Sequence, residues 1–228
     1  MSEKAFLIAI AGGSGSGKST LAQGLRDALG AGQTVTFIED SYYWPISRYG
    51  PFATDAEKQA CIAQINFDDP ASKDEDMLVR DLVALKNGQT INQPVYDFDT
   101  HDRVVGASTT LEPAPIIIFE GIHVLSIPAL KTEIDLSIYV DTPDDLRLAR
   151  RIRRDVMERE RTVESVLNQY LSTVRSAHYS FTFPAKFEAD LVIADDGLPA
   201  YGKIRPDSAA IERMMAPVLD RLRSRNVI

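Results

Sequence analysis

Apolar residues fall in short, almost unbroken runs: Ala5–Ala11, Val35–Ile38, Ile116–Phe119, Ile134–Val140 and Leu191–Ile193. Runs of Ile, Val, Leu and Phe that do not alternate with polar residues predict strands buried on both faces, as in a parallel sheet. Between them, apolar positions recur at helix spacing over about 18–29, 74–86, 144–158, 162–178 and 208–224. Within 74–86, Leu78, Leu82 and Leu85 share one face, and Asn87-Gly88 supplies a stop signal. Strand and helix signals that alternate in this way predict an α/β domain, taken as one unit over residues 1–228. Residues 89–113 break the pattern. Pro94-Val95-Tyr96-Asp97-Phe98 and Ser108–Leu111, separated by Gly106, predict a small antiparallel β-hairpin appended to the sheet. Such an appendage is a natural place for substrate specificity.

Composition narrows the picture. Of 228 residues, 44% are hydrophobic and 25% charged, enough apolar side chain to exclude disorder as the main state. The net charge of −8 makes the chain a poor general binder of nucleic acid or anionic membrane. No apolar run approaches the ~18 residues of a membrane span. Met1-Ser2-Glu3-Lys4 leads straight into the first run, without the basic segment and cleavage site of a signal peptide. Cys61 is the only cysteine, so no internal disulfide forms, which fits a reducing compartment. A cytoplasmic location is therefore expected. The only histidines are His101, His123 and His178, and no Cys/His cluster predicts a structural zinc site.

The strongest chemical signal is Gly12-Gly13-Ser14-Gly15-Ser16-Gly17-Lys18-Ser19, followed by Thr20. It matches G-x-x-x-x-G-K-[ST] and lies between a predicted strand and a predicted helix. Glycines there let backbone N–H groups turn inward around phosphate oxygens, and the helix N-terminus adds positive potential. Lys18 would reach the β- and γ-phosphates, and the Ser19 hydroxyl would hold Mg²⁺. Carboxylates for metal or base chemistry belong at the ends of neighbouring parallel strands. Asp40 and Glu120 hold such positions, and Asp40 is the candidate acceptor of a substrate hydroxyl proton.

A third signal is arginine density. Arg147, Arg150, Arg151, Arg153, Arg154, Arg159 and Arg161 fall within fifteen residues. Thr142 reads as the N-cap of this helix and Pro143 as its first residue. Helical spacing puts 147, 150, 151 and 154 on one face and Leu148, Ile152 and Val156 on the other. A charge run is ordinarily a solvated face. Beside a phosphate loop, it predicts a lid over 144–162 whose guanidinium forks grip the transferring phosphoryl group and exclude water.

The chain as a whole resembles the uridine kinases (uridine–cytidine kinases) of the P-loop kinase superfamily, from about residue 5 to 194. Besides the glycine loop, the resemblance rests on Glu39-Asp40-Ser41-Tyr42-Tyr43, Asn66-Phe67-Asp68-Asp69-Pro70, Pro94-Val95-Tyr96-Asp97-Phe98 with His101 and Arg103, and Phe119-Glu120-Gly121-Ile122. It extends through Val140-Asp141-Thr142, Arg150-Arg151-Ile152-Arg153-Arg154-Asp155, Glu158-Arg159-Glu160-Arg161 and Gln169-Tyr170. It implies a P-loop kinase fold and a nucleoside 5′-kinase that moves the γ-phosphate of Mg²⁺-bound ATP or GTP to uridine and cytidine. Carried over, Asp40 resembles the catalytic base and a metal-shell acid, with Ser19 and Glu120 completing the metal site. Lys18, Arg154 and Arg159 take phosphate-facing roles. Asp74, Arg151 and Gln169 resemble ribose contacts, and Tyr96, His101 and Arg161 a base pocket. The family likeness also implies a homotetramer.

Four departures accompany the resemblance. Asp69 stands where the family usually has His, Lys73 where it more often has an apolar residue, and Glu160 where glycine is common between lid arginines. Ala194-Asp195-Asp196-Gly197 replaces a common Pro-Arg-Gly. Two competing readings stay open: a sibling kinase acting on a sugar phosphate or pantothenate, and a nucleotide-dependent switch with slow hydrolysis.

Overall fold

The computed structural model describes residues 4–195 and 208–228. Asp196 and Gly197 of the last departure lie outside them. Five parallel strands form one sheet: β1 (Phe6–Ala11), β2 (Thr34–Ile38), β5 (Ile116–Glu120), β6 (Leu136–Asp141) and β7 (Leu191–Ala194), in the order β2-β5-β1-β6-β7. β1 is central, in register with β5 (Phe6 opposite Ile116) and β6 (Ile8 opposite Leu136). Its alternate residues explain the unbroken apolar run. Leu7, Ala9 and Ala11 enter the core beneath α3 (Glu75–Lys86), with Leu78, Leu82 and Leu85. Ile8 and Ile10 enter the opposite core with Leu21 and Leu25 of α1 (Lys18–Leu29) and Met214, Val218 and Leu222 of α6 (Ser208–Ser224). Each fully buried Leu or Ile side chain among these contributes about 1.5–3 kcal/mol.

The hairpin forms, but as its own two-stranded sheet of β3 (Ile91–Asp97) and β4 (Asp102–Leu111), not as an extension of the main one. Its turn is at residues 98–101 and not at Gly106. Gly106 sits within β4 at φ 76°, beside the register shift between Pro94 and Tyr96. α2 (Asp55–Gln64) has no counterpart in the periodicity, because none of its residues is buried. The predicted 162–178 helix begins as α5 (Val163–Gln169), with Thr162 accepting from the Ser165 N–H as N-cap. It continues through π-helical turns at Tyr170–Val174 and His178–Thr182.

The arginine helix α4 (Asp144–Glu158) differs from expectation at its start. Pro143, not Thr142, is its N-cap, and no side chain caps it. The Thr142 hydroxyl donates instead to the Ser16 carbonyl (2.8 Å), tying the helix start to the glycine loop. The buried face carries Arg147, Arg151 and Asp155, while Leu148, Ile152 and Val156 are only half-buried. The helix therefore turns charge inward, over the C-terminal ends of the strands. Among the described residues, no helix is long and apolar enough to cross a membrane.

Candidate active site

The glycine loop leaves β1 and enters α1 with Gly17 as N-cap at φ 91°. Gly15 is required twice over: its φ is 80°, and a Cβ there would run into the Arg147 carbonyl. The Ser16 N–H donates to the Gly13 carbonyl (3.0 Å), while the Ser16 hydroxyl is buried without a partner. Lys18 is buried at the head of α1, and Thr20 lies in its first turn.

The carboxylates converge as the strand ends predict. The Ser19 hydroxyl donates to both oxygens of Glu120 (3.0 and 3.1 Å). Burial raises the Glu120 carboxyl pKa, Asp40 and Glu39 add to the rise, and Lys18 opposes it. For Asp40 burial acts upward, but Lys73, then Lys18 and Arg159, outweigh it and hold the carboxyl below its ordinary range. Ser19, Asp40 and Glu120 thus offer one hydroxyl and two carboxylates, hard oxygen donors beside the phosphate loop. This set fits Mg²⁺, which takes only one or two carboxylates and draws its other ligands from water and substrate phosphates. Among the described residues, no group of three His, Cys, Asp or Glu side chains forms a metal cage.

One cavity of about 820 Å³ runs from Ser14, Lys18 and Asp40 to Tyr96 and His101 at the hairpin end. Of the sequence-derived candidates, Arg151, Arg154, Arg159, Arg161 and Gln169 also line it. Gln169 Oε1 accepts from Arg151 (2.9 Å) and Arg161 (2.6 Å), which fuses three of them into one cluster. Arg159 lies over the Phe98 ring at 4.1 Å, joining the end of α4 to the hairpin tip. The turn expected to depart from glycine is made by Glu160 itself at φ 51°.

At the hairpin end, Tyr96 packs on Tyr43 and Phe98, and its buried hydroxyl has no partner. His101 stacks on Phe67 at 4.9 Å with 29° between planes. Burial lowers the His101 pKa, and Arg161, Lys58 and Arg159 lower it further, so the ring is neutral at neutral pH.

Asp74 is not brought to this cavity. It is the N-cap of α3, accepting from the Met77 N–H (3.2 Å) and from Arg103 (3.4 Å). Asp68 lines the cavity instead, with its carboxylate 4.0 Å from Arg151. The sequence carried a sign of this: an Asp directly before a helical segment reads as a cap. Asp69 likewise serves a local turn, accepting from the Ala71 N–H (2.8 Å). Another residue that sequence reasoning left without a role is Asp155, fully buried at the centre of the arginines. It lies 2.8 Å from Arg154, 3.5 Å from Arg151, and 3.7 Å from both Arg159 and Arg161.

Phosphoryl transfer is the chemistry that such a loop, with carboxylates beside it, serves, and the fold sets the chain among the P-loop phosphotransferases. Sequence comparison narrows that class. Residues 7–197 match the Phosphoribulokinase / Uridine kinase family, and the chain belongs to it. The uridine kinase of Chloroflexus aurantiacus is 40% identical over 197 residues, 86% of this chain and 90% of that protein. The uridine kinase of Ligilactobacillus salivarius is 37% identical over 222 residues, 97% and 96% of the two chains. Phosphoribulokinase from Rhodobacter spheroides is 14% identical but shares the fold, with a TM-score of 0.57 over 85% of this chain and 71% of that one.

Proposed function

We propose that this protein is a nucleoside 5′-kinase that phosphorylates uridine and cytidine to UMP and CMP with ATP or GTP as donor. The observation that carries the reading is the continuity of one cavity from Lys18 and Asp40 to the aromatic cluster at the hairpin. A donor triphosphate and a flat pyrimidine fit its two ends.

In this reading the glycine-loop N–H groups and Lys18 hold the β- and γ-phosphates. Ser19, Asp40 and Glu120 would hold Mg²⁺, which would supply charge neutralisation to the phosphates. Asp40 takes the proton of the nucleoside 5′-hydroxyl as its oxygen bonds to the γ-phosphorus. The bond from that phosphorus to the β–γ bridging oxygen breaks, and the nucleoside diphosphate leaves with the electron pair. Arg154 and Arg159 offset charge on the transferring group. Asp68 is better placed than Asp74 to accept from ribose hydroxyls, beside Arg151 and Gln169. Neutral His101 can donate to uracil O4 or accept from the cytosine amine by changing tautomer, with Tyr96 and Arg161 completing the base pocket.

A coupled assay of ADP or GDP release over nucleosides, sugar phosphates and pantothenate tests this. The nucleoside diphosphate should appear only with uridine or cytidine. Release with a sugar phosphate, or slow release with no acceptor, would favour the sibling kinase or the switch.

A further inference from the structure

Lys73 is buried, and its ammonium has three donors to place. All three directions are accounted for. Glu39 Oε1 lies at 2.9 Å, Asp40 Oδ1 at 3.4 Å, and the Tyr43 ring faces it at 4.7 Å. The backbone aims the side chain there. Lys73 bridges Tyr43, the Trp44 N–H donates to the Ser72 carbonyl (2.9 Å), and the Asp74 N–H donates to the Tyr42 carbonyl (2.8 Å). The segment bearing Lys73 is therefore stitched alongside the segment that follows β2.

Glu39 is equally fixed. It is 1% exposed, accepts from the His123 N–H (3.0 Å), and occupies the space a side chain at Gly121 would need. Lys73 thus rests on an immobile carboxylate and reaches from it to one oxygen of Asp40. Among the described residues, no hydrogen bond reaches the other oxygen, Oδ2. Asp40 is about one-third exposed and lines the cavity, whereas Lys73 is 4% exposed and does not line it.

We propose that Lys73 is a positioning residue, holding Asp40 by Oδ1 so that Oδ2 faces the acceptor hydroxyl. The proposal rests on the reading of Asp40 as base. A misplaced reacting group costs up to about 10²-fold in rate. Lys73→Met should lower kcat about 10–100-fold while nucleoside KM stays within about twofold. Because that variant leaves Glu39 buried without its cation, the Glu39→Gln/Lys73→Met pair is the companion measurement. It removes both partners, so its fold is kept, and its kcat should stay equally low. A purely structural lysine predicts the reverse, with kcat within twofold of wild type in the double variant, and that result would overturn the proposal.

A cycle with Asp40→Asn supplies the second test. A residue that acts through Asp40 has nothing further to lose once Asp40 is gone, so Lys73→Met should leave the rate of Asp40→Asn unchanged. A further tenfold drop would overturn the role. The same cycle separates the two readings. An Asp40→Asn enzyme at wild-type rate removes the base itself, whereas a dead Asp40→Asn beside a fully active Lys73→Met overturns positioning alone.

Discussion

At the residue scale, the loop lysine and the hairpin histidine stand at the two ends of one cavity. Lys18→Ala removes a preorganised cation from the phosphates, and kcat should fall about 10²–10³-fold in a steady-state assay. An enzyme keeping more than half its rate would refute the loop's role. His101→Phe keeps a ring to stack on Phe67 but leaves the pyrimidine edge unpaired, worth about 1–3 kcal/mol. We expect kcat/KM to fall about 5–150-fold for uridine and cytidine alike. Unchanged kinetics would mean that the histidine only packs. As cavity-lining residues, these were legible in the sequence because the glycine loop and the family resemblance fix both type and spacing. Asp74 was not, since a carboxylate before a helix serves a cap and a ribose equally well on paper. The Arg103 and Met77 contacts show that it caps α3, and it does not line the cavity. Lys73 read only as a departure from an apolar position, because its carboxylate partners lie more than thirty positions away.

At the element scale, the strands and most helices followed from periodicity, because burial on one or both faces writes a pattern. α2 wrote none, since no residue in it is buried, yet its Gln59, Ile62 and Ala63 line the cavity. In α4 the periodicity held, and the basic face is the one turned inward. Its partners, among them Asp155, Asp68 and Gln169, are supplied by the chain itself. Two tests belong here. Thr142→Val deletes the hydroxyl bonded to the buried Ser16 carbonyl, at about 1–3 kcal/mol. Urea titration should show that loss together with a raised KM for the donor nucleotide, and identical curves would mean the tie is idle. Arg154→Ala and Arg159→Ala should lower kcat more than they raise nucleoside KM, as contacts formed mainly at transfer do. A pure KM effect would move these residues to substrate binding.

At the scale of the whole molecule, all three histidines titrate low. His101 and His123 are shifted down mainly by burial, and His178 by burial and Arg147, to about 4. The unfolded chain takes up protons near pH 6.5 while the folded one does not, so between the folded and unfolded values it binds more protons. Stability is full above about pH 6.5 and declines as pH falls through that window. Asp40, Asp144 and Asp190, with carboxyls held low, extend the loss toward more acid solution. Thermal unfolding at pH 7.5 and 5.5 should give the lower midpoint at 5.5; equal midpoints would contradict the shared direction of the three shifts.

Asp155 has a consequence for turnover. A cage of arginines built only for a guest would stand as bare, mutually repelling cations each time the guest departed. Here the cage carries its own anion, set where solvent does not reach. If the arginines grip phosphate as proposed, a departing phosphate would hand its guanidiniums back to that carboxylate and an arriving one would take them from it, so each half of the cycle would be an exchange of counter-ions. Part of the ordering entropy, about 0.5–1.5 kcal/mol per long side chain, would then be met during folding and not at every encounter. Release of product, often the slow step in enzymes, would be eased by the enzyme's own replacement ligand.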